Sequence, residues 1–259
     1  MRDNQYWKEK CDKLVALLRL PNYPVAFSLL KNRSEIPEEA QTFDRKMTVC
    51  QLIAYSRMYH WIVAGTPEKM VCAVGAACLG LIKTPDRIKS GKADIGYYVK
   101  DERAAKSFQE ATPKLGDEGK IYDAFVAAPL DVAPIDPQAI IIYASPARIA
   151  RLIHSIVYHD GNPIHISTVC EAAVCTSIAK LIKNGNPVID FPCIGDRAYG
   201  GVQDNEMLFV FPPDMIDKII EGLEKTHEAG VSAYPVKPFL YFEPVFRIKS
   251  HMMTDEDLK

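Results

Sequence analysis

Seven cysteines offer the most distinctive chemistry in this chain: Cys11, Cys50, Cys72, Cys78, Cys170, Cys175 and Cys193. They are too sparse among 259 residues to form the disulfide framework of a small secreted scaffold, and their odd number leaves at least one thiol unpaired. Reduced thiols can be inert core residues, metal ligands or nucleophiles. Cys72 follows Cys50 by 22 positions and Cys193 follows Cys170 by 23, with the first member of each pair on a predicted helix. If the two halves pack face to face, Cys50, Cys72, Cys170 and Cys193 bring together four soft sulfur ligands, the set required by an iron–sulfur cluster or a tetrahedral zinc ion. No C-x-x-C pair delivers two thiolates from one turn, and neither Cys72 with Cys78 nor Cys170 with Cys175 shares a helix face. Three readings stand: a cluster, structural cysteines throughout, or one reactive thiol.

The segment Phe191-Pro192-Cys193-Ile194-Gly195-Asp196-Arg197 is the second place where chemistry is expected. A cysteine follows a strand, Gly195 permits an unusual turn close to a ligand, and Asp196 and Arg197 project from that turn. Arg197 could clamp a small carboxylate or phosphate through its planar fork and lower the pKa of Cys193. Glu206 beyond the loop is a candidate proton acceptor, and Arg57, near the same side of a helix as Cys50, is a second candidate for holding an anion. The plain alternative is an Asp196–Arg197 pair that staples a tight turn. His154, His159 and His165 lack the same-face spacing of a helical metal pair. No G-x-G-x-x-G, G-x-x-x-x-G-K-[ST] or G-x-S-x-G occurs, so nucleotide-phosphate and serine-hydrolase chemistry lack support.

The elements that must position these residues follow from periodicity and turn signals. Trp7, Cys11, Leu14, Val15 and Leu18 form a helical stripe over residues 3–19. VAFSLL reads as a strand, Thr48 opens a helix, and Trp61-Ile62-Val63 reads as a brief strand. Thr66-Pro67 is expected to start a small-residue helix that runs through CAVGAACLGL. A helix around Glu102–Glu110 precedes two strands, YDAFVAA and AIIIYA, and the second turns directly into a helix at Ser145-Pro146. Arg148 and Arg151 in its first turns could meet an anion or stand on the surface. Ser167 or Thr168 is expected to cap the next helix, which Gly185 ends. VIDFP and EMLFVFP are strands around the Cys193 loop, Pro213-Asp214 opens a last helix, and the proline-rich tail over 231–259 is expected to wrap the surface. Strands and helices intermix without a clean βαβ alternation. The expectation is therefore a mixed α/β (α+β) protein: a mixed β-sheet covered by helices in one large domain over 1–259, which could divide into two similar lobes.

Composition narrows the partners. Thirty-one basic against 33 acidic residues give a formal charge of −2, and no long basic stripe is present to neutralise a phosphate backbone, so nucleic acid is not expected. Charges interrupt the N-terminal apolar residues, and no run approaches the roughly 18–20 apolar residues that span a bilayer. A soluble, cytoplasmic protein without membrane contact is expected.

Several segments in order resemble the domain of unknown function 169 family: PVAFSLLK, Cys50-Gln51 with Arg57, Cys72 with Gly75 and Leu79-Gly80-Leu81, Ala128-Pro129-Leu130, Ile142-Tyr143 through Ser145-Pro146, and Pro192 to Arg197. The similarity covers roughly residues 20–225. The resemblance implies no assigned reaction; it implies a host range of archaea and anaerobic bacteria, and it makes Cys50, Cys72, Cys170 and Cys193 the recurring cysteine positions, with Cys11, Cys78 and Cys175 incidental. The resulting expectation is an iron–sulfur redox or electron-transfer protein in which those four cysteines hold the cluster. Arg57, Gly195 and Arg197 would bind a small anion, with Asp196, Arg197 and Glu206 at the chemistry. A metal-free anion-binding or cysteine-dependent protein, or an accessory interaction protein with structural cysteines, is the alternative.

Overall fold

The computed structural model describes residues 4–231, 234–235 and 249–257. Most of the tail expected to wrap the surface lies outside the described residues. Among the described residues, six strands form one sheet: β1 (Val25–Leu30), β2 (Val63–Gly65), β3 (Ala124–Pro129), β4 (Ala139–Ala144), β5 (Val188–Asp190) and β6 (Met207–Phe211), in the order β2-β3-β1-β4-β6-β5. Every pair of neighbouring strands is antiparallel. Together with the helices this is a mixed α+β fold.

Alternation along the strands sends side chains to the two faces of the sheet. Phe27, Phe125, Ile141, Tyr143 and Val210 face one side. Ala26, Ile140, Ile142, Phe209 and Phe211 face the other. Because both sides are covered, β1, β3 and β4 are buried along their whole length, and for that reason they read in sequence as continuous apolar runs instead of alternating ones.

Helices α1 (Asn4–Leu18), α6 (Pro146–Asp160) and α9 (Ile216–Glu228) cover one face. Their packing is close enough that a Cβ at Gly222 would stand 2.0 Å from the Ser155 carbonyl oxygen. Arg148 donates from Nε to the Leu18 carbonyl and from Nη2 to that of Arg19, each at 2.9 Å, and Arg151 donates to the Leu17 carbonyl. These arginines close the C-terminal end of α1, whose last carbonyls have no intrahelical partners; the anion entertained for them is replaced by backbone.

The opposite face carries α2 (Val49–Tyr59), α3 (Ala73–Cys78) and α7 (Ala173–Asn184), with α8 (Ile194–Ala198) at its rim. Two short elements, α4 (Asp86–Lys89) and α5 (Glu102–Glu110), lie in the excursion between β2 and β3. Thr48 and Gln51 form a reciprocal capping box at the start of α2, with Gln51 N–H donating to Thr48 Oγ1 at 3.1 Å and Thr48 N–H to Gln51 Oε1 at 2.9 Å.

Three helix starts differ from expectation. Thr66-Pro67 opens only a 3-10 turn, and the small-residue helix begins at Ala73 with Cys72 as its cap. Helix α7 begins at Ala173 and not near Thr168, because Cys170 and Ala172 adopt left-handed conformations that interrupt the helical path. The loop after β5 contains the short helix α8, with Cys193 as its cap. No helix among the described residues is long and apolar enough to cross a membrane.

Candidate functional site

These shifted helix starts build the site. The first turns of α2, α3, α7 and α8 all open onto one cavity of about 90 Å³. A helix cap and the third residue after it lie on the same side of the first turn. Cys72 and Gly75, Ala172 and Cys175, and Cys193 and Asp196 have that relation, and each pair lines the cavity. Cys50, the second residue of α2, completes a group of four sulfurs drawn from four separate elements.

The walls between the sulfurs are open because two helical positions lack side chains. A Cβ on Gly75 would lie 3.1 Å from Cys175 Sγ and 3.6 Å from Cys72 Sγ. A Cβ on Gly195 would lie 3.5 Å from Cys193 Sγ and 3.7 Å from Cys50 Sγ. Neither glycine has the positive φ that would require it, and glycine within a helix costs roughly 0.5–1 kcal/mol relative to alanine. Among the described residues, no three His, Cys, Asp or Glu side chains already converge on a single metal position.

Polar contacts hold three of the four sulfurs individually. Cys50 Sγ lies 3.0 Å from Thr48 Oγ1 and donates to the Gly195 carbonyl at 3.3 Å. Cys72 Sγ accepts from the Gly75 N–H at 3.4 Å. Asp196 Oδ2 accepts from the Cys193 N–H at 3.3 Å and from its thiol at 3.5 Å, while Tyr143 donates to Asp196 Oδ1 at 3.2 Å. Burial pushes the Cys50 thiol up to about 12 and holds Cys175 well above its ordinary range. Cys193 rises to about 11, chiefly through burial and then through the charge of Asp196, against the backbone N–H groups that favour its thiolate. Burial likewise raises Asp196 to about 6, opposed by its hydrogen bonds from Cys193 and Tyr143. No basic side chain lines the cavity among the described residues, so the thiols have no nearby protein cation to stabilise a thiolate.

The other expected residues lie at varying distances from this centre. Arg57 is buried on α2, stacks over the Tyr143 ring at 4.8 Å, and pairs through Nη2 with Glu206 at 3.0 Å. Glu206 also accepts the Gln203 N–H at 2.8 Å, so this carboxylate is committed to a buried ion pair behind the cavity wall. Arg197 points outward to Asp204 at 3.3 Å and does not line the cavity. Gly195 and Asp196 do. Of the four cysteines expected to converge, Cys50, Cys72 and Cys193 meet at the cavity; Cys170 is exposed, with Thr168 Oγ1 3.7 Å from its sulfur. Cys175, set aside as incidental in the sequence, lines the wall instead. The sequence signal was the cap-to-third-residue spacing, which becomes visible only when α7 is started at Ala173.

Beside the cavity, the left-handed turn at Cys170 and Ala172 buries Glu171. Gln109 donates to Asp94 Oδ2 at 2.5 Å and to Glu171 Oε2 at 3.4 Å, tying α5 to that turn. Burial first, and the neighbouring Asp94 second, raise Glu171 to about 7.

The family model for DUF169, described as uncharacterised ArCR, matches residues 13–222. The chain belongs to the DUF169 family. A protein of Methanocaldococcus jannaschii, itself described as uncharacterised, is 32% identical over 221 residues, covering 84% of this chain and 93% of that relative. No solved structure matches. The matched span includes every sulfur of the cavity as well as Arg57 and Glu206, so the whole arrangement lies within the family's common region.

Proposed function

We propose that the cavity is the seat of an iron–sulfur cluster in a redox or electron-transfer protein, with Cys50, Cys72 and Cys193 among its ligands. The observation that carries this reading is the convergence of four sulfurs, from four helix starts, on one apolar cavity. Zinc bound by four thiolates holds its sulfurs at about 2.3 Å, which requires them to crowd around one point. Here the four sulfurs line a cavity of about 90 Å³ in which Gly75 and Gly195 leave the wall bare, which suits a group with volume of its own.

Electrostatics favours the same reading. Thiols raised by burial are poor nucleophiles at neutral pH, which counts against a free reactive cysteine. Bound metal supplies the positive charge that the lining lacks, and the thiols lose their protons as their sulfurs become ligands. A cluster with four thiolates is an anion, and the N-terminal ends of α2 and α7 direct their positive dipole ends toward it. The N–H groups around Cys193 and Cys72 can donate to ligand sulfur, a contact that tunes the potential of such centres. Asp196 and Tyr143 would hold Cys193 in place from behind. The small anion expected to accompany the centre would meet Arg197, which is partly exposed on the helix that Cys193 caps.

The test is iron and acid-labile sulfide analysis with a visible spectrum on the full chain purified without oxygen. Stoichiometric iron and sulfide with a broad charge-transfer band are expected. Colourless, iron-free protein that also fails to take up iron and sulfide on anaerobic reconstitution overturns the reading.

A further inference from the structure

Cys175 has the geometry of a ligand, and Cys170 does not. Cys175 lies on the cavity wall in the first turn of α7, whereas the Cys170 side chain is exposed and absent from the lining. The position of a Cβ on Gly75 lies within 3.1 Å of Cys175 Sγ and 3.6 Å of Cys72 Sγ, so those two sulfurs are no farther apart than the sum of these distances. Gly195 bears the same relation to Cys193 and Cys50. The four sulfurs thus form two pairs, each flanking a backbone position stripped of its side chain. Cys78 has no such place: it is fully buried, its sulfur lies 3.7 Å from Thr176 Oγ1, and it does not line the cavity.

We infer that Cys175 is the fourth ligand of the centre, paired with Cys72 across Gly75 as Cys193 is paired with Cys50 across Gly195. This inference rests on the cluster reading above and adds to it a residue and a pairing. Ligation replaces the S–H bond of Cys175 with an S–Fe bond and releases the proton to solvent. Gly75 is the positioning residue, because a methyl group there would occupy the space between the two sulfurs.

The experiment compares the full chain with Cys175→Ala, Cys170→Ala and Cys78→Ala after anaerobic reconstitution with ferrous iron and sulfide, reading iron per chain and the visible spectrum. The melting temperature of each metal-free protein is recorded alongside. Cys175→Ala is expected to lower retained iron by about tenfold or more. Cys170→Ala and Cys78→Ala are expected to retain it. Loss in Cys170→Ala with retention in Cys175→Ala overturns the assignment in favour of the exposed thiol. Equal loss in Cys78→Ala and Cys175→Ala also overturns it, because a buried cysteine that lines nothing would then behave as a ligand does. A wild-type chain that takes up no iron overturns the centre itself, so the two failures are distinguished by which sample is empty.

Discussion

Cys11 and Gly222 on one face of the sheet, and the cavity cysteines with Gly75 and Gly195 on the other, serve opposite purposes. On the α1/α6/α9 face, Cys11 fills a slot in a continuous apolar stripe, and Gly222 lets two helices touch, with the missing Cβ facing a backbone carbonyl. On the α2/α3/α7 face, the missing Cβ atoms of Gly75 and Gly195 face sulfur, and the space left is not filled by protein. Burial raises thiols on both faces, Cys11 and Cys50 alike to about 12. A raised thiol therefore does not distinguish a core cysteine from a ligand. What distinguishes them is whether the sulfur ends in a packed interior or on a cavity shared with other sulfurs.

The contrast can be broken most forcefully where the cavity face holds its charge. Glu206→Ala leaves the buried Arg57 guanidinium without its carboxylate, and a loss of about 3–5 kcal/mol in urea or thermal unfolding is expected. On the packed face, Gly222→Ala drives a methyl group against the Ser155 carbonyl and is expected to cost roughly 3 kcal/mol. Gly75→Ala sharpens the comparison: stability of the metal-free chain should stay within about 1 kcal/mol of wild type, since alanine favours the helix, while iron uptake falls. If Gly75→Ala destabilised the metal-free fold as much as Gly222→Ala does, the two glycines would share one packing role and the contrast would fail.

A pH dependence sharpens the comparison further. Glu171 titrates near 7 in the fold against an ordinary 4.5, so the folded chain holds more protons between those values. Its contribution to stability is therefore present below about 4.5 and is lost as pH rises toward 7. Glu171→Gln should flatten that part of the stability–pH curve of the metal-free protein, followed by chemical denaturation at several pH values. An unchanged slope would remove Glu171 from the account.

Much of the framework was legible in the sequence. The stripe of α1, the span of α5 at Glu102–Glu110, the strand-to-helix step at Ser145-Pro146 and the apolar runs of β1, β3 and β4 all follow from local periodicity and turn chemistry. The candidate site was legible only in part. Cys50, Cys72 and Cys193 were identified by residue type, and Asp196 by its place after a strand. Cys175 was set aside because the family resemblance pointed to Cys170 instead, and with α7 started near Thr168 its place at the helix start was not visible. Thr168 looks like a cap, but its hydroxyl contacts Asp190 and the Cys170 N–H, and the helix waits for the left-handed turn to finish.

The sequence by itself determined which residues could be ligands and where most helices and strands run, because these depend on local backbone preference and hydrophobic pattern. Only the tertiary structure decided which sulfurs meet, that Arg57 belongs to Glu206, and that Arg197 faces outward. Those outcomes depend on where four helix starts, distant in the chain, are brought together by the order of strands in the sheet, and spacing along a sequence carries no record of that order.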